Sequence, residues 1–569
     1  MTRYHFHDKC ISDIKKKVGS SVRWHNPQII RDLIIELTST PSISGTIQER
    51  DMADKIYRLL HAYDYFQLHP EQLRKHPIPH DKLSRDVITA LLRGNNASNK
   101  TIVMLSHYDV VGIEDFGRFK SNAFHPEALT SQLRTESSDV LDKDAFTDLM
   151  SGKWLFGRGV MDMKAGLAIQ IAMMEHFSTL EDFSGNLLLL ATPDEETNSE
   201  GMLEAVSILN HLKEQYQLDY ELCICSEANW SSFPGDDAKY IYTGSVGKLL
   251  PMVFSVGTST HVGEPLRGVN AAWMSAEIVN RIELSTDFVD ELDGEYSPYP
   301  TCLDARIIKD RYNVQTPNLA YAMFNVLTLK QSPKDVLYKL RDVTNQVADK
   351  IYRRIVERNR TNGDHSSQGD KLSHVRPKIY SYSELYQKGV ECFGNEFVQN
   401  IDEEMNSFLE TQTDPRVATV QLVQRVSSFF VEEAPFFVLL FAPPYYPHVY
   451  LDDLHDQRIQ AVVEKVHQDA LQEDDNVRIK RFFPGLSDVS YCRIRDADRI
   501  METLKPNMPL LDFMYNVPIE EISKLNLPTI NIGPYGKDAH QWTERLELTY
   551  STEVAPQLVM NTIHYVFAK

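Results

Sequence analysis

Three adjacent carboxylates, Asp194, Glu195 and Glu196, close the stretch LLLLATPDEE (187–196). Its four leucines have the pattern of a strand buried on both faces. Acids at the end of such a strand repel one another unless water or a cation receives them. Neighbours at a strand end point in different directions. One carboxylate can therefore hold a metal while the next stays free to take a proton from water. In SHYD (106–109), His107 and Asp109 lie two apart on an extended segment, on the same side. A metal-bound imidazole usually donates its other N–H to a carboxylate, and this pair has suitable geometry for ligand and orienter. GRGVMDMKAG (157–166) places Asp162 in a glycine-rich loop at a helix start. There it is either a cap or a carboxylate whose two oxygens each meet a metal. SEAN (226–229) adds Glu227 after an apolar run, and GKDAHQWTE (536–544) adds His540. Each feature alone has a plain structural reading: a surface pair, a cap, a solvated turn, an idle histidine. Together they make two histidines and three carboxylates as ligand candidates, with two further carboxylates in support. Nitrogen and oxygen donors without thiolate suit zinc, cobalt or manganese.

The elements that must position these groups alternate along the chain. TIVMLSHYDVV (101–111) is a strand with a polar end, and residues 159–180 are a loop running into a helix. NLLLLATP (186–193) is a strand, 201–216 a helix and YELCICSEA (220–228) a strand. This is the pattern of a mostly parallel sheet covered by helices, an α/β fold, whose ligands sit beyond the carboxyl ends of the strands. The polar groups follow the apolar runs in that sense. Residues 111–153 read as an irregular excursion. From about 245 the pattern becomes strand, glycine-rich loop, helix, strand and long helix, which marks an inserted smaller α+β domain. RTNGDHSSQGDK (360–371) is a polar, flexible link, and the α/β pattern resumes near 386, ending in an amphipathic helix over 551–567. The expected organisation is 1–244, first part of the catalytic domain; 245–385, the insertion; 386–569, its second part.

The 569 residues are ample for more than one domain. A net charge of −21 argues against nucleic acid or an anionic membrane as partner. No apolar signal segment opens the chain and no apolar run is long enough to span a bilayer. Six scattered cysteines without a CxxC pair fit reduced thiols and a cytoplasmic location, not a cysteine–zinc site.

The ordered set SHYDVV, GRGVMDMKAG, ATPDEE, CSEAN, STHVGEPLRGVNAA and GKDAHQWTE resembles the dizinc aminoacylase, carboxypeptidase G, acetylornithine deacetylase and succinyl-diaminopimelate desuccinylase family of metallopeptidases. FAPPYYPH (441–448) and FPGLSDVSY (483–491) are similar to its arginine-utilisation, RocB-like branch. The resemblance implies a zinc-exopeptidase-like catalytic domain, a lid or dimerisation domain, and two divalent metals per chain. Zinc is the first choice; cobalt and manganese are the alternatives. Asp162 would bridge them, His107 and Glu227 would complete one site, and Glu196 and His540 the other. Asp109 would orient His107. Glu195 would be general base and acid for water activated between the metals, and His261 in STHVGEP would polarise the scissile carbonyl. The expected activity is hydrolysis of an amide bond in a small peptide or N-acylated amino acid, arginine-related on the branch resemblance, by a homodimer joined through the inserted domain. A ureidohydrolase or amidase is the alternative, then a non-catalytic binding protein of the same fold. Two departures stand out. Asp162 follows His107 by 55 positions because of the excursion. FNVLTLKQSP (324–333) lacks the arginine that grips a substrate carboxylate in many members, leaving Lys330, Arg306 or Arg311 to replace it.

Overall fold

The computed structural model describes residues 24, 26–95, 98–136, 140–233, 235–309, 311–361, 375–473 and 475–568. The N-terminal segment and most of the polar link at 360–371 lie outside them. The chain forms two compact units. The first takes in residues up to Ser245 together with Val449–Arg493 and Glu521–Lys569; the second takes in Val246–His448 and Ile494–Glu520.

The first unit is built on an eight-stranded sheet. From edge to edge run Leu73–Pro77, Asp86–Arg93, Asn186–Thr192, Lys100–His107, Asp219–Cys225, Thr529–Asn531, Lys239–Tyr242 and Val477–Lys480. The four central strands, from Asn186–Thr192 to Thr529–Asn531, are mutually parallel. Asp86–Arg93 and Lys239–Tyr242 pair antiparallel on either side of them. Leu187–Leu190 and Ile102–Leu105 are fully buried, so these runs carry apolar side chains on both faces, as a helix-covered sheet requires. His107 pairs with Thr192, the last residue of the leucine strand, so the acids that follow that strand emerge beside His107.

Helix Lys164–Ser178 is buried along nearly its whole length, which matches its apolar surface all round. Gly166 lets it press on the sheet: a Cβ there would stand 2.0 Å from the Ser226 carbonyl oxygen. Helix Pro27–Thr38 starts at Asn26, whose side chain accepts the Gln28 N–H, with proline in its first turn. A small antiparallel sheet joins Gly536–Lys537, Arg545–Glu547 and Trp154–Phe156, and the loop between its first two strands carries His540. The excursion is more regular than its composition suggests. It holds helices Pro126–Arg134 and Lys143–Ser151; the second is capped by Asp142 and stopped by Gly152 at φ 74°. The amphipathic C-terminal helix runs over Ala555–Phe567, after a π-helical turn at Tyr550–Val554.

The second unit has a five-stranded sheet in the order Thr301–Ile307, Leu319–Thr328, Gly247–Val256, Phe436–Tyr446 and Lys378–Ser381. Its helices include Ala271–Ile282, Pro333–Thr361, Tyr382–Thr411 and Pro415–Ser427. The sequence pattern puts the return to the first domain near 386, whereas residues up to His448 group with the second unit. The reason is pairing. FFVLLFAPPYY (436–446) lies antiparallel against Gly247–Val256, inside the second sheet.

Candidate metal centre

Three parallel strand ends and two loops of the first unit deliver seven of the eight sequence-derived residues to one place. His107 ends Lys100–His107, Glu195 and Glu196 follow Asn186–Thr192, and Glu227 follows Asp219–Cys225. Asp162 comes from the loop before helix Lys164–Ser178, its peptide bond to Met163 being cis. His540 comes from the loop of the small sheet, with φ 64°.

The side chains form two triads that share Asp162. In the first, His107 Nε2 lies 3.2 Å from Asp162 Oδ1 and 3.5 Å from Glu227 Oε1. In the second, His540 Nε2 lies 3.3 Å from Asp162 Oδ2 and 3.0 Å from Glu196 Oε2. Within each triad one ligand atom per residue lies within 4.8 Å of the others, the spacing of donors around one cation. Glu195 belongs to neither. Its Oε2 is 4.0 Å from His107 Nε2, leaving a half-buried carboxylate outside both groups.

Asp109 organises the turn as well as the histidine. Its Oδ1 is 3.4 Å from His107 Nδ1 and accepts the Glu195 N–H at 3.1 Å; its Oδ2 accepts the Glu196 N–H at 3.2 Å and the Ser44 hydroxyl at 2.6 Å. Burial alone would raise the Asp109 carboxyl, but the bonds from His107, Ser44 and Glu196 hold it below its ordinary value. On the other side of the turn, Asp194 (φ 70°) places an oxygen 2.7 Å from Arg85 Nη1. The buried Arg85 also meets Asp81 at 3.0 Å, Glu200 at 2.6 Å and Glu49 at 3.4 Å. Glu49 Oε1 accepts the Asp194 N–H at 3.0 Å.

The electrostatics of the cluster call for positive charge. Burial, then the neighbouring carboxylates, push Glu195 well above the usual range, and Glu227 up to about 8 with only His107 opposing. His107 would be lowered by burial, but Glu227, Asp109, Asp162 and Glu195 hold it well above its ordinary value. Hydrogen bonds to Asp162 and Glu196 raise His540 to about 10. Asp162 would be raised by burial, yet the two histidines pull it below its ordinary value. The same crowded carboxylates that raise both imidazoles would attract a bound cation. An oxygen- and nitrogen-only donor set with a shared aspartate fits two divalent cations.

His261 belongs to the second unit. It is exposed, and its Nδ1 accepts the Gly263 N–H at 3.1 Å. Of the three basic candidates, Arg306 is taken by Asp304 at 2.9 Å, while Lys330 and Arg311 are exposed. Sequence reading assigned nothing to Asp488. It is buried, accepts the Thr192 hydroxyl at 2.8 Å, and adds its field to Glu195 and Glu227. Its signal was the stretch FPGLSDVSY, for which no chemistry was evident. Arg85 and Glu544 lie in polar loops and Glu49 in the first turn of helix Gln48–His61, places where a charged residue reads as solvated.

A sequence profile of Peptidase family M20/M25/M40 matches residues 138–549. The chain belongs to this family and is a metal-dependent hydrolytic enzyme. It fits the RocB-like branch. It is 33% identical to protein RocB of Bacillus subtilis (strain 168) over 547 residues, 94% of each chain. It is 36% identical to the uncharacterized protein YqjN of the same organism, over 95% of this chain and 97% of that one. Succinyl-diaminopimelate desuccinylase of Sulfurimonas denitrificans is 29% identical over 192 residues, 33% of this chain and 49% of that one. The crystal structure of aminopeptidase PepT from Bacillus cereus ATCC 10987 shares the fold, with a TM-score of 0.52 at 11% identity, covering 96% of this chain and all of that one. Among the described residues no helix is long and apolar enough to cross a membrane.

Proposed function

We propose that the protein hydrolyses an amide bond in a small peptide or N-acylated amino acid, using two divalent cations, zinc by first choice, with cobalt or manganese as alternatives. The observation that carries this reading is the pair of triads sharing Asp162 beside an uncommitted Glu195. His107, Asp162 and Glu227 would hold one cation; Asp162, Glu196 and His540 the other. When bound, the cations would supply Lewis acidity, lowering the pKa of water and polarising the substrate carbonyl. The chain's own residues do the rest. Asp109 keeps His107 in one orientation and pins the backbone of Glu195 and Glu196. Glu195 takes the proton from the attacking water as the C–O bond forms, then returns it to the leaving nitrogen as the C–N bond breaks. His261 keeps the role the resemblance gives it, a hydrogen bond to the scissile carbonyl oxygen.

Similarity to a desuccinylase supports an N-acyl substrate, and similarity to RocB makes arginine-related compounds the first to screen. A second reading, a ureido or other non-peptide C–N bond, draws on strand Leu319–Thr328, which carries no arginine for a substrate carboxylate. The homodimer expected through the inserted domain is supported by that domain's sheet edge. Strand Thr301–Ile307 ends the sheet order and exposes Leu303 and Ile307 at 55% and 53%. A cytoplasmic location remains the reading from reduced cysteines.

The test is metal content of the purified protein by mass spectrometry, with a screen of N-acylamino acids, dipeptides and ureido compounds before and after chelation. About two metals per chain and chelator-sensitive amine release are expected. No metal retained after zinc, cobalt or manganese is added back would sink the reading.

A further inference from the structure

The two triads are supported unequally. His107 and Glu227 stand at the ends of adjacent strands in the middle of the large sheet, and both are buried. His540 is different. Its side chain is 52% exposed and its loop joins strands of two and three residues. Backbone bonds tie the start of its hairpin to Asn229, after strand Asp219–Cys225, and Arg545–Glu547 pairs with Trp154–Phe156. The side-chain contacts on the hairpin that carries it come largely from the excursion after Asp109 and its boundary.

Phe119 of the excursion stacks on Trp542, two residues from His540, with centroids 5.5 Å apart and planes 6° from parallel. Asp144 and Asp148, on helix Lys143–Ser151, grip both strands of the hairpin. Lys537 Nζ donates to both at 2.9 Å, and the fully buried Arg545 donates to each at 2.7 Å. Arg545 also binds Asp538, which receives the Thr543 hydroxyl at 2.7 Å. From the other end of the excursion, Asp115 takes Arg158 Nη2 at 3.1 Å, and the Gly112 carbonyl takes Arg158 Nε at 3.2 Å. Arg158 Nη1 then reaches Glu544 at 2.8 Å. Glu544 accepts the backbone N–H of Met161 at 3.2 Å and of Asp162 at 3.5 Å, so the same brace reaches the loop of the shared aspartate.

We infer that the excursion, in its described residues 111–136 and 140–153, is a brace that holds His540 in register with Asp162 and Glu196 through Phe119, Asp144 and Asp148, contacts on which the second cation site depends and on which His107 and Glu227 of the first do not. Phe119, Asp115, Asp144 and Asp148 are positioning residues. This rests on the two-cation reading above, and it explains what an insertion of that length does so close to the centre. Outer residues that orient a ligand typically control metal affinity by about 10–100-fold. The brace concentrates that control on one site of the two.

The experiment titrates Zn²⁺ against a competing indicator into full-length protein stripped by chelation, for wild type, Phe119→Ala, Phe119→Tyr and Asp144→Asn. Tryptophan emission serves as a second readout. Wild type is expected to bind two zinc ions in two resolvable steps. In Phe119→Ala one step alone should weaken by about 10-fold or more, with the other unchanged and the tryptophan emission altered. Phe119→Tyr, which keeps the ring, should behave as wild type. Asp144 is 65% exposed at its side chain, so Asp144→Asn leaves the core intact and should weaken the same step alone. Both steps unchanged in Phe119→Ala and Asp144→Asn, or both weakened together in Asp144→Asn, would overturn the brace and leave the two-cation reading standing. A wild type that binds no zinc would overturn that reading, and the brace with it.

Discussion

Asp109→Asn is the most demanding single test of the centre, because one carboxylate there serves four donors. In either orientation the asparagine places its NH₂ against a backbone N–H, that of Glu195 or that of Glu196. One charge-assisted hydrogen bond is lost, worth ~1.5–3 kcal/mol, and a buried donor is left without an acceptor, costing ~1–3 kcal/mol. The lower half of that range, about 3 kcal/mol, is on the order of a hundredfold in an equilibrium constant. The strain falls on the turn that presents the base and a ligand, and on the orientation of His107, so it should appear as lost zinc affinity and turnover more than as lost fold. Chelator competition measures the affinity, steady-state kinetics on whichever amide the screen identifies measures the turnover, and a melting curve controls for stability. Zinc bound as tightly as in wild type, with unchanged kcat/KM, would refute the assignment of Asp109 as the organiser of the site.

Glu195→Gln should retain its metals and lose turnover by ~10²–10⁴-fold, since only the proton transfer is removed; unchanged turnover takes Glu195 out of the mechanism. Arg85→Met should destabilise the protein by ~3–5 kcal/mol in urea unfolding, because Asp81 and Asp194 are left as buried anions without a cation. Arg85→Lys should not restore it, one ammonium being unable to span the fork, and full rescue by lysine would show that the geometry of the clasp is immaterial. Burial, with repulsion from Asp109, pushes Glu49 up to about 8 against the pull of Arg85, from an ordinary 4.5. The folded state therefore holds a proton that the unfolded chain releases. The stability this group contributes is complete below pH 4.5 and lost as pH rises toward 8, by at most ~1.4 kcal/mol per pH unit. Wild type should lose stability relative to Glu49→Gln across that window, and a constant difference between their melting temperatures would contradict the shift. Leu303→Asp with Ile307→Asp should turn a dimer into a monomer in light scattering; a wild type already monomeric removes the proposed interface.

The constellation was legible because each of its groups follows an apolar run or a glycine-rich loop, and a parallel sheet gathers such ends at one edge. Asp488 was not, since no spacing links it to His107; only the folded chain puts it beside Thr192. Arg85 and Glu49 were hidden for a related reason. A buried ion network is made of residues that individually look solvated, and their burial is decided by tertiary contacts. The second unit's extent was illegible because an apolar run such as Phe436–Tyr446 shows that it is a strand but not which sheet it joins. The excursion's two helices were not legible because each is only nine residues long and set in a polar stretch.

The chain's interleaving of its two units bears on how the protein is made. His107, Asp162 and Glu227 all belong to the opening segment of the first unit, but His540 follows Glu227 by 313 positions, after the whole of the second. Strand Thr529–Asn531, which belongs between Asp219–Cys225 and Lys239–Tyr242, arrives equally late. Residues before Ser245 therefore cannot complete this sheet by themselves, because a strand from its middle is made after the whole of the second unit. On the two-cation reading proposed above, the residues of the first triad are complete in the chain by Glu227, and the second triad is complete only at His540.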